Sequence, residues 1–452
     1  MKLRLSDDAP DISDPFKGDL LERKQFASRL VTFLANVEGP FTMALTGPYG
    51  SGKTYFLRRC KLLLEALEVP VVLINAWETD FASEPIAPIV TELADKFSSH
   101  LKVEDRRWKK AKALAAKVAA ATVPIGLKIA TAGILEAEDF QKIAAVGDTV
   151  EKLAEKQFEH FAAAKKSVDG LRRELERLSD QIRNHRATGA DRDSRSTPPP
   201  IIVLIDELDR CRPTYAIDFL EVVKHFFEIT GIVFVMAIDR PQLVSAAQAV
   251  FGTGLDGDGY LRKFIDLECA LPAPNIRNFC MNFLRSQPGI FRHDLYAGVE
   301  VPIAQLCQGA AFTIRRTQQF LVRAAVANAA ASNIADPDLI FFFVFLRDYD
   351  PQLYNQFINE RVSSWDILLE MRKLDPEFGY PLHHGGVPFV NLLIGMDNGG
   401  TDSFIDKLRQ DYESKNMKSH IFDRFGSRDV GAWRPHIRQV TPWIDFCASV
   451  VV

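Results

Sequence analysis

Eight consecutive residues constrain this chain more than any others. Gly47-Pro48-Tyr49-Gly50-Ser51-Gly52-Lys53-Thr54 spells GxxxxGKT, a complete phosphate-binding loop. Its flanks supply the context that the motif requires. Phe41–Thr46 is an apolar stretch of strand character, and Tyr55–Leu67 carries apolar residues at helical spacing. Strand, glycine loop and helix in that order predict backbone N–H groups facing an anion at a helix N-terminus, where the dipole favours negative charge. In such a loop Lys53 reaches the β- and γ-phosphates, and the Thr54 hydroxyl ligates Mg²⁺. The expected nucleotide contacts are the loop itself and Tyr55 directly after it.

A second half of the same site lies far downstream. Ile201–Ile205 is a continuous β-branched and apolar run, the pattern of a strand buried on both faces, and it ends in Asp206-Glu207. Acids at the tip of such a strand match the Walker B arrangement. Asp206 is expected in the Mg²⁺ shell, and Glu207 is expected to orient and deprotonate the attacking water. The alternative is an acidic pair that merely caps the next helix. A third apolar run, Gly231–Ile238, ends in Asp239-Arg240. Since open α/β sheets bind ligands at the carboxyl ends of their strands, Asp239 is expected to sense the γ-phosphate through water. Arg240 is either a finger for a neighbouring subunit or a surface ion pair. Glu207 also separates reaction classes: hydrolysis needs a water-activating carboxylate, whereas a small-molecule or nucleic-acid kinase does not need one there. A non-hydrolysing, nucleotide-dependent scaffold is compatible with every binding motif.

Composition bounds the setting. The 452 residues suffice for two to four domains, and a net charge of −4 argues against a wholly basic nucleic-acid binder, leaving only a local basic face open. Six scattered cysteines show no metal-ligand spacing, so neither disulfides nor zinc are expected. Met1–Asp8 has no apolar run of the signal-peptide kind, and a cytoplasmic location is expected.

Several segments together resemble the KAP family of P-loop NTPases. They are Leu204–Pro213, Ala216–Phe227, Val233–Leu243, the Tyr260–Leu267 element, Asn75-Ala76-Trp77 after the strand Val71–Ile74, and Phe345–Tyr354. The resemblance runs from about Phe16 to Ile358 and is broken by an insert. It implies an ATPase of the P-loop division with a catalytic Glu, similar to STAND and AAA+ proteins, with a helical lid. It also implies ATP and Mg²⁺ as ligands. By analogy with one family member, it suggests a role in exclusion of phage infection; other members look like membrane-associated organisers.

The expected organisation is an α/β P-loop core with a parallel sheet, split into residues 1–97 and 201–272 by a helical insertion at 98–200. A helical lid follows over 273–375, and a C-terminal region of unassigned role over 376–452. Many family members are similar in carrying transmembrane helices at the insert. Here the best candidate, Ala111–Leu135, contains Lys117, Lys128 and Pro124. A central Lys costs about 2.5–3.5 kcal/mol on insertion, so a soluble or surface-lying hairpin is expected, with peripheral membrane association at most. Phe161, Ala164, Val168, Leu171, Leu175, Leu178 and Ile182 form a heptad-like seam interrupted by Gly170. That seam is either one amphipathic helix packed on its own domain or a hairpin that meets a protein partner or a second copy. Deleting Ala111–Arg195 is expected to leave a folded, ATP-binding core. Residues 187–200 read as a polar, Pro-terminated linker. In the lid, helices are expected at Asn275–Ser286, Pro302–Gln308 and Ile314–Ala331, where Arg315 and Arg316 resemble a sensor that reaches the γ-phosphate. Ile340–Leu346 is too short to span a bilayer and reads as a buried turn of helix or an interface. His383-His384 reads as part of a turn.

Overall fold

The computed structural model describes residues 11–82, 84–98, 106–121, 166–183, 198–226, 228–285, 300–331, 337–376, 378, 393, 401–414, 441–442 and 444–445. The chain divides into two compact units. One comprises Ala9–Lys17 and Arg23–Pro272; the other comprises Met1–Asp8, Gly18–Glu22 and Ala273–Val452.

The first unit is built on a parallel sheet of β1 (Phe41–Thr46), β2 (Val71–Asn75), β3 (Ile201–Asp206), β4 (Ile232–Ile238) and β5 (Leu267–Ala270). Their order is β2-β3-β4-β1-β5. The α/β P-loop expectation holds, and the four apolar runs are strands. Every residue of β3 and β4 is buried, because each strand has a neighbour on both edges and helices on both faces. Alternate side chains then feed two cores. Val72, Ile74, Val203, Ile205, Phe234 and Met236 belong to one. Met43, Leu45, Ile202, Leu204, Val233 and Val235 belong to the other, which is covered by α1 (Lys24–Asn36) and α2 (Lys53–Ala66). Strand β5 was not anticipated. Its Leu-Glu-Cys-Ala sequence is short, carries a charge and lies largely exposed at the sheet edge, so it has no apolar run to read.

The first core is covered by α3 (Ile86–Ser98), α4 (Arg106–Ala121), α5 (residues 166–183), α6 (Pro213–Phe226), α7 (Arg240–Phe251) and the short α8 (Gly257–Leu261). Of the two readings of the seam, the structure supports the amphipathic helix packed on its own domain. Leu171, Leu175, Leu178 and Ile182 of the seam are buried together with Trp108, Ala111, Ala115 and Val118 of α4 and with the sheet residues Val203 and Ile205. That face is therefore occupied by the protein's own core and is not free for a partner or a second copy. Gly170 faces Leu114 of α4, where an added Cβ would make ordinary contact at 3.5 Å, so the glycine does not break this packing. Lys110 Nζ donates to the buried Glu174 Oε1 at 2.6 Å, and Arg183 donates to the carbonyls of Pro198 and Pro199, which lead into β3. Phe161, Ala164, residues 122–135 and most of the expected linker lie outside the described residues. No helix among the described residues is long and apolar enough to cross a membrane.

The described part of the second unit is helical from α9 (Ile276–Arg285) through α10 (Glu300–Gly309), α11 (Ile314–Ala331), α12 (Pro337–Tyr349), α13 (Pro351–Ile358) and α14 (Ser364–Leu374) to α15 (Thr401–Ser414). The helices expected at the start of this region are present. Ile340–Leu346 is the buried centre of α12, where Phe341 and Phe345 meet Phe320 of α11 edge-on. Capping residues set the next boundaries. The Asp350 carboxylate accepts from the N–H groups of Gln352 and Leu353, and Ser363 forms a reciprocal capping box with Asp366. His383 and His384 lie outside the described residues.

Candidate nucleotide site

Because all five strands are parallel, their carboxyl ends share one edge, and the order of strands decides what meets there. β4 lies between β1 and β3. Its tip, Asp239, therefore stands between the loop after β1 and the acids after β3.

The loop has the curl that the glycines predict. Its backbone leaves β1 with Gly47 N–H donating to the Ile238 carbonyl at 3.1 Å, turns through Ser51 N–H to the Pro48 carbonyl at 3.2 Å, and enters α2 through Gly52 at φ 87°. That φ favours glycine. At Gly47 a Cβ would come within 2.8 Å of Ser51 Oγ, a buried hydroxyl without a hydrogen-bond partner in the structure. Arg23 braces the loop from behind, donating to the Ser51 and Pro272 carbonyls at 2.7 Å each.

Lys53 opens α2 and is nearly buried. Its ammonium donates to the Gly47 carbonyl at 2.7 Å and pairs with Asp209 at 3.5 Å. Asp209 is a buried carboxylate that sequence reasoning passed over. It also accepts the Asp239 N–H at 2.6 Å, and its carbonyl accepts the Tyr49 hydroxyl at 3.2 Å. Asp239 in turn accepts the Tyr49 N–H at 3.0 Å. Burial, and then the charge of Asp209, hold the Tyr49 phenol above its ordinary range, so it stays a donor. The ring of Tyr55 carries the Arg59 guanidinium, 3.2 Å from its centroid.

The Thr54 hydroxyl lies close enough to the Asp206 carboxylate to favour its charged form. Asp206 also accepts the Glu207 N–H at 3.0 Å. Burial pushes its carboxyl up, and the negative charges of Glu207 and Asp209 add to that push. This donor set fits a small hard cation: a hydroxyl and a carboxylate side by side, with the acids Glu207 and Asp209 near them. Among the described residues no group of three or more acidic, His or Cys side chains could hold a metal ion.

Glu207 sits at φ 60°, in the left-handed region uncommon for a residue with a side chain. Both of its carboxylate oxygens are engaged. Arg210 Nη2 lies 3.0 Å from Oε1, and Asn75 Nδ2 donates to Oε2 at 3.3 Å. Below it, the Cys211 thiol, pushed up to about 12 by burial, donates to the Glu207 carbonyl at 3.6 Å.

The structure thus gathers Lys53, Thr54, Asp206, Glu207 and Asp239 at one edge. It treats the arginines differently. Arg240 is paired with Asp258 at 3.0 Å and with Glu268 at 3.1 Å. Arg315 and Arg316 belong to the second unit, at the start of α11; Arg315 is exposed, and Arg316 donates to the Asp348 carbonyl at 2.6 Å while lying over the Phe312 ring. Asp209, Asn75 and Arg210 all lie in segments quoted for the family resemblance, yet nothing in their spacing assigned them roles.

Residues 23–293 match the sequence model of the KAP family P-loop domain. No curated protein matches this sequence. Among solved structures, the Aeropyrum pernix ORC2 protein in its ADPNP-ADP complexes is similar, with a TM-score of 0.36 and 12% identity over 93% of this chain and 86% of that one. Its ADP form gives a TM-score of 0.34 and 11% identity over 73% and 67%.

Proposed function

We propose that this chain, which belongs to the KAP family of P-loop domains, hydrolyses Mg²⁺-ATP and uses the cycle as a conformational or assembly switch. Nucleotide binding follows from the family and the loop; hydrolysis and switching are our reading. One juxtaposition supports them. Glu207 directly follows the Asp206 carboxylate beside the Thr54 hydroxyl, at the sheet edge that also carries Lys53.

Each residue then has a task. Lys53 exchanges the Gly47 carbonyl and Asp209 for phosphate oxygens. Thr54 and Asp206 would hold Mg²⁺, which when bound neutralises phosphate charge. Glu207 orients the attacking water and takes its proton, and Asp239 reads the terminal phosphate through water. A nucleotide-dependent scaffold without turnover is the second reading, favoured by the engagement of both Glu207 oxygens by Asn75 and Arg210. Use of the switch in phage exclusion, through a protein partner, is carried over from the family resemblance and is tested by plaque counts on cells expressing wild type and Glu207→Gln.

The biochemical test pairs calorimetry of ATP binding with an assay of released phosphate. Lys53→Ala is expected to lose ATP binding. Glu207→Gln is expected to keep binding while turnover falls by about 10²–10⁴-fold, the range typical of a lost general base. A wild-type protein that binds ATP with no turnover, in the presence or absence of nucleic acid or phage material, would establish the scaffold instead.

A further inference from the structure

A general base must present a free lone pair to the water that it deprotonates, and Glu207 has a donor on each oxygen. The two donors are not equivalent. Asn75 ends β2 in fixed register beside Asp206, and its amide is shared with Glu78 Oε1 at 2.9 Å. Arg210 closes the single short turn Leu208–Arg210, three residues after Glu207, and its side chain is 28% exposed. Its guanidinium carbon lies 5.7 Å from the centroid of the Tyr49 ring and 5.9 Å from that of Trp77. Both rings are themselves exposed, so the guanidinium can slide along an aromatic rim without entering an apolar interior.

Tyr49 links this seat to the phosphate loop. It is a loop residue, its ring forms one wall of the seat, and its hydroxyl donates to the Asp209 carbonyl in the turn that carries Arg210.

We propose that Arg210 is a positioning residue that locks Glu207 both at rest and in the nucleotide-bound protein, so that the pair must open in each turnover before Glu207 can act as base. The proposal rests on reading Glu207 as the base. Among the described residues Arg210 makes no hydrogen bond or ion pair with Lys53, Thr54 or Asp206, so its removal acts on the base and not on nucleotide affinity.

The test compares Arg210→Ala, Arg210→Gln and Arg210→Lys in kcat, KM and calorimetric ATP affinity. Partly exposed ion pairs are weak, so release in Arg210→Ala is expected to raise kcat by up to about fivefold, with ATP affinity unchanged within about twofold. Arg210→Lys, which keeps the charge, is expected to fall between Arg210→Ala and wild type. The gain must vanish in Arg210→Ala/Glu207→Gln; a merely structural change would not depend on Glu207. Arg210→Gln replaces Arg210→Ala if the smaller side chain destabilises the turn. A folded Arg210→Ala or Arg210→Gln with kcat at or below wild type overturns the lock, while an inactive Glu207→Gln beside an active wild type leaves the hydrolysis reading standing. A silent wild type beside an active Arg210→Ala supports the lock, with the resting chain acting as the scaffold; silence of both overturns the lock.

Discussion

Asp206 ionises against its surroundings: burial, with Glu207 and Asp209 close by, raises its carboxyl above the ordinary range. Below about pH 4 the folded and unfolded chains both hold the proton. As pH rises from there, the unfolded chain releases its proton first, so the protein loses stability until the folded carboxyl ionises as well. Asp206→Asn removes that cost. In protein free of Mg²⁺ and nucleotide, the variant is expected to melt higher than wild type at pH 7, with the gap closing toward pH 4. Mg²⁺-ATP should raise the melting temperature of wild type and do much less for the variant. Scanning calorimetry decides it, and a variant that melts lower at pH 7 would show that the Asp206 hydrogen bonds outweigh its desolvation. The motif alone pointed to Asp206 and Glu207. Asp209 escaped notice because its importance depends on Lys53 and the Asp239 N–H, both brought to it by the sheet.

At the scale of elements, the insert is where reading by pattern fell short. The seam period in α5 was visible, but a heptad-like stripe says only that one face is apolar, not what covers it. Here α4 and the sheet cover it. The expectation that Ala111–Arg195 can be removed is therefore reversed: the deletion would uncover Val203, Ile205 and Phe219, and the truncated protein is expected to aggregate. A gentler measurement is urea denaturation of Leu175→Ala, which should cost about 2–5 kcal/mol as a buried Leu truncation. Glu176→Ala, one residue on and exposed, should stay within about 0.5 kcal/mol. Equal effects at the two positions would mean that α5 does not pack on the core in solution.

For the whole molecule, the first unit ends at Pro272, whose carbonyl is held by Arg23. The side chains given tasks on phosphate and metal in the proposed cycle lie between Lys53 and Asp239, whereas Arg315 and Arg316 lie beyond Pro272. A fragment of residues 1–272 is therefore expected to fold and to bind ATP with an affinity within about tenfold of the full chain, since its loop, strands and both sheet faces are complete. Calorimetry on the soluble fragment tests this. Failure to bind, from a fragment with native circular dichroism, would mean that the region after Ala273 supplies part of the nucleotide site.

What the sequence determined by itself is local. Glycine spacing shaped the loop, β-branched runs made β3 and β4 strands, and acids at strand ends were bound to gather at one edge once the sheet was parallel. These follow from neighbours within a few positions, so they can be read from the chain. Tertiary structure alone decided that β4 stands between β1 and β3, that the charged edge segment Leu267–Ala270 pairs as β5, and that the seam faces inward. It also decided the partners of Lys53 and Glu207. Strand pairing, burial and ion pairing join residues far apart in the chain, and their free energy exists only after the sheet has brought those residues together.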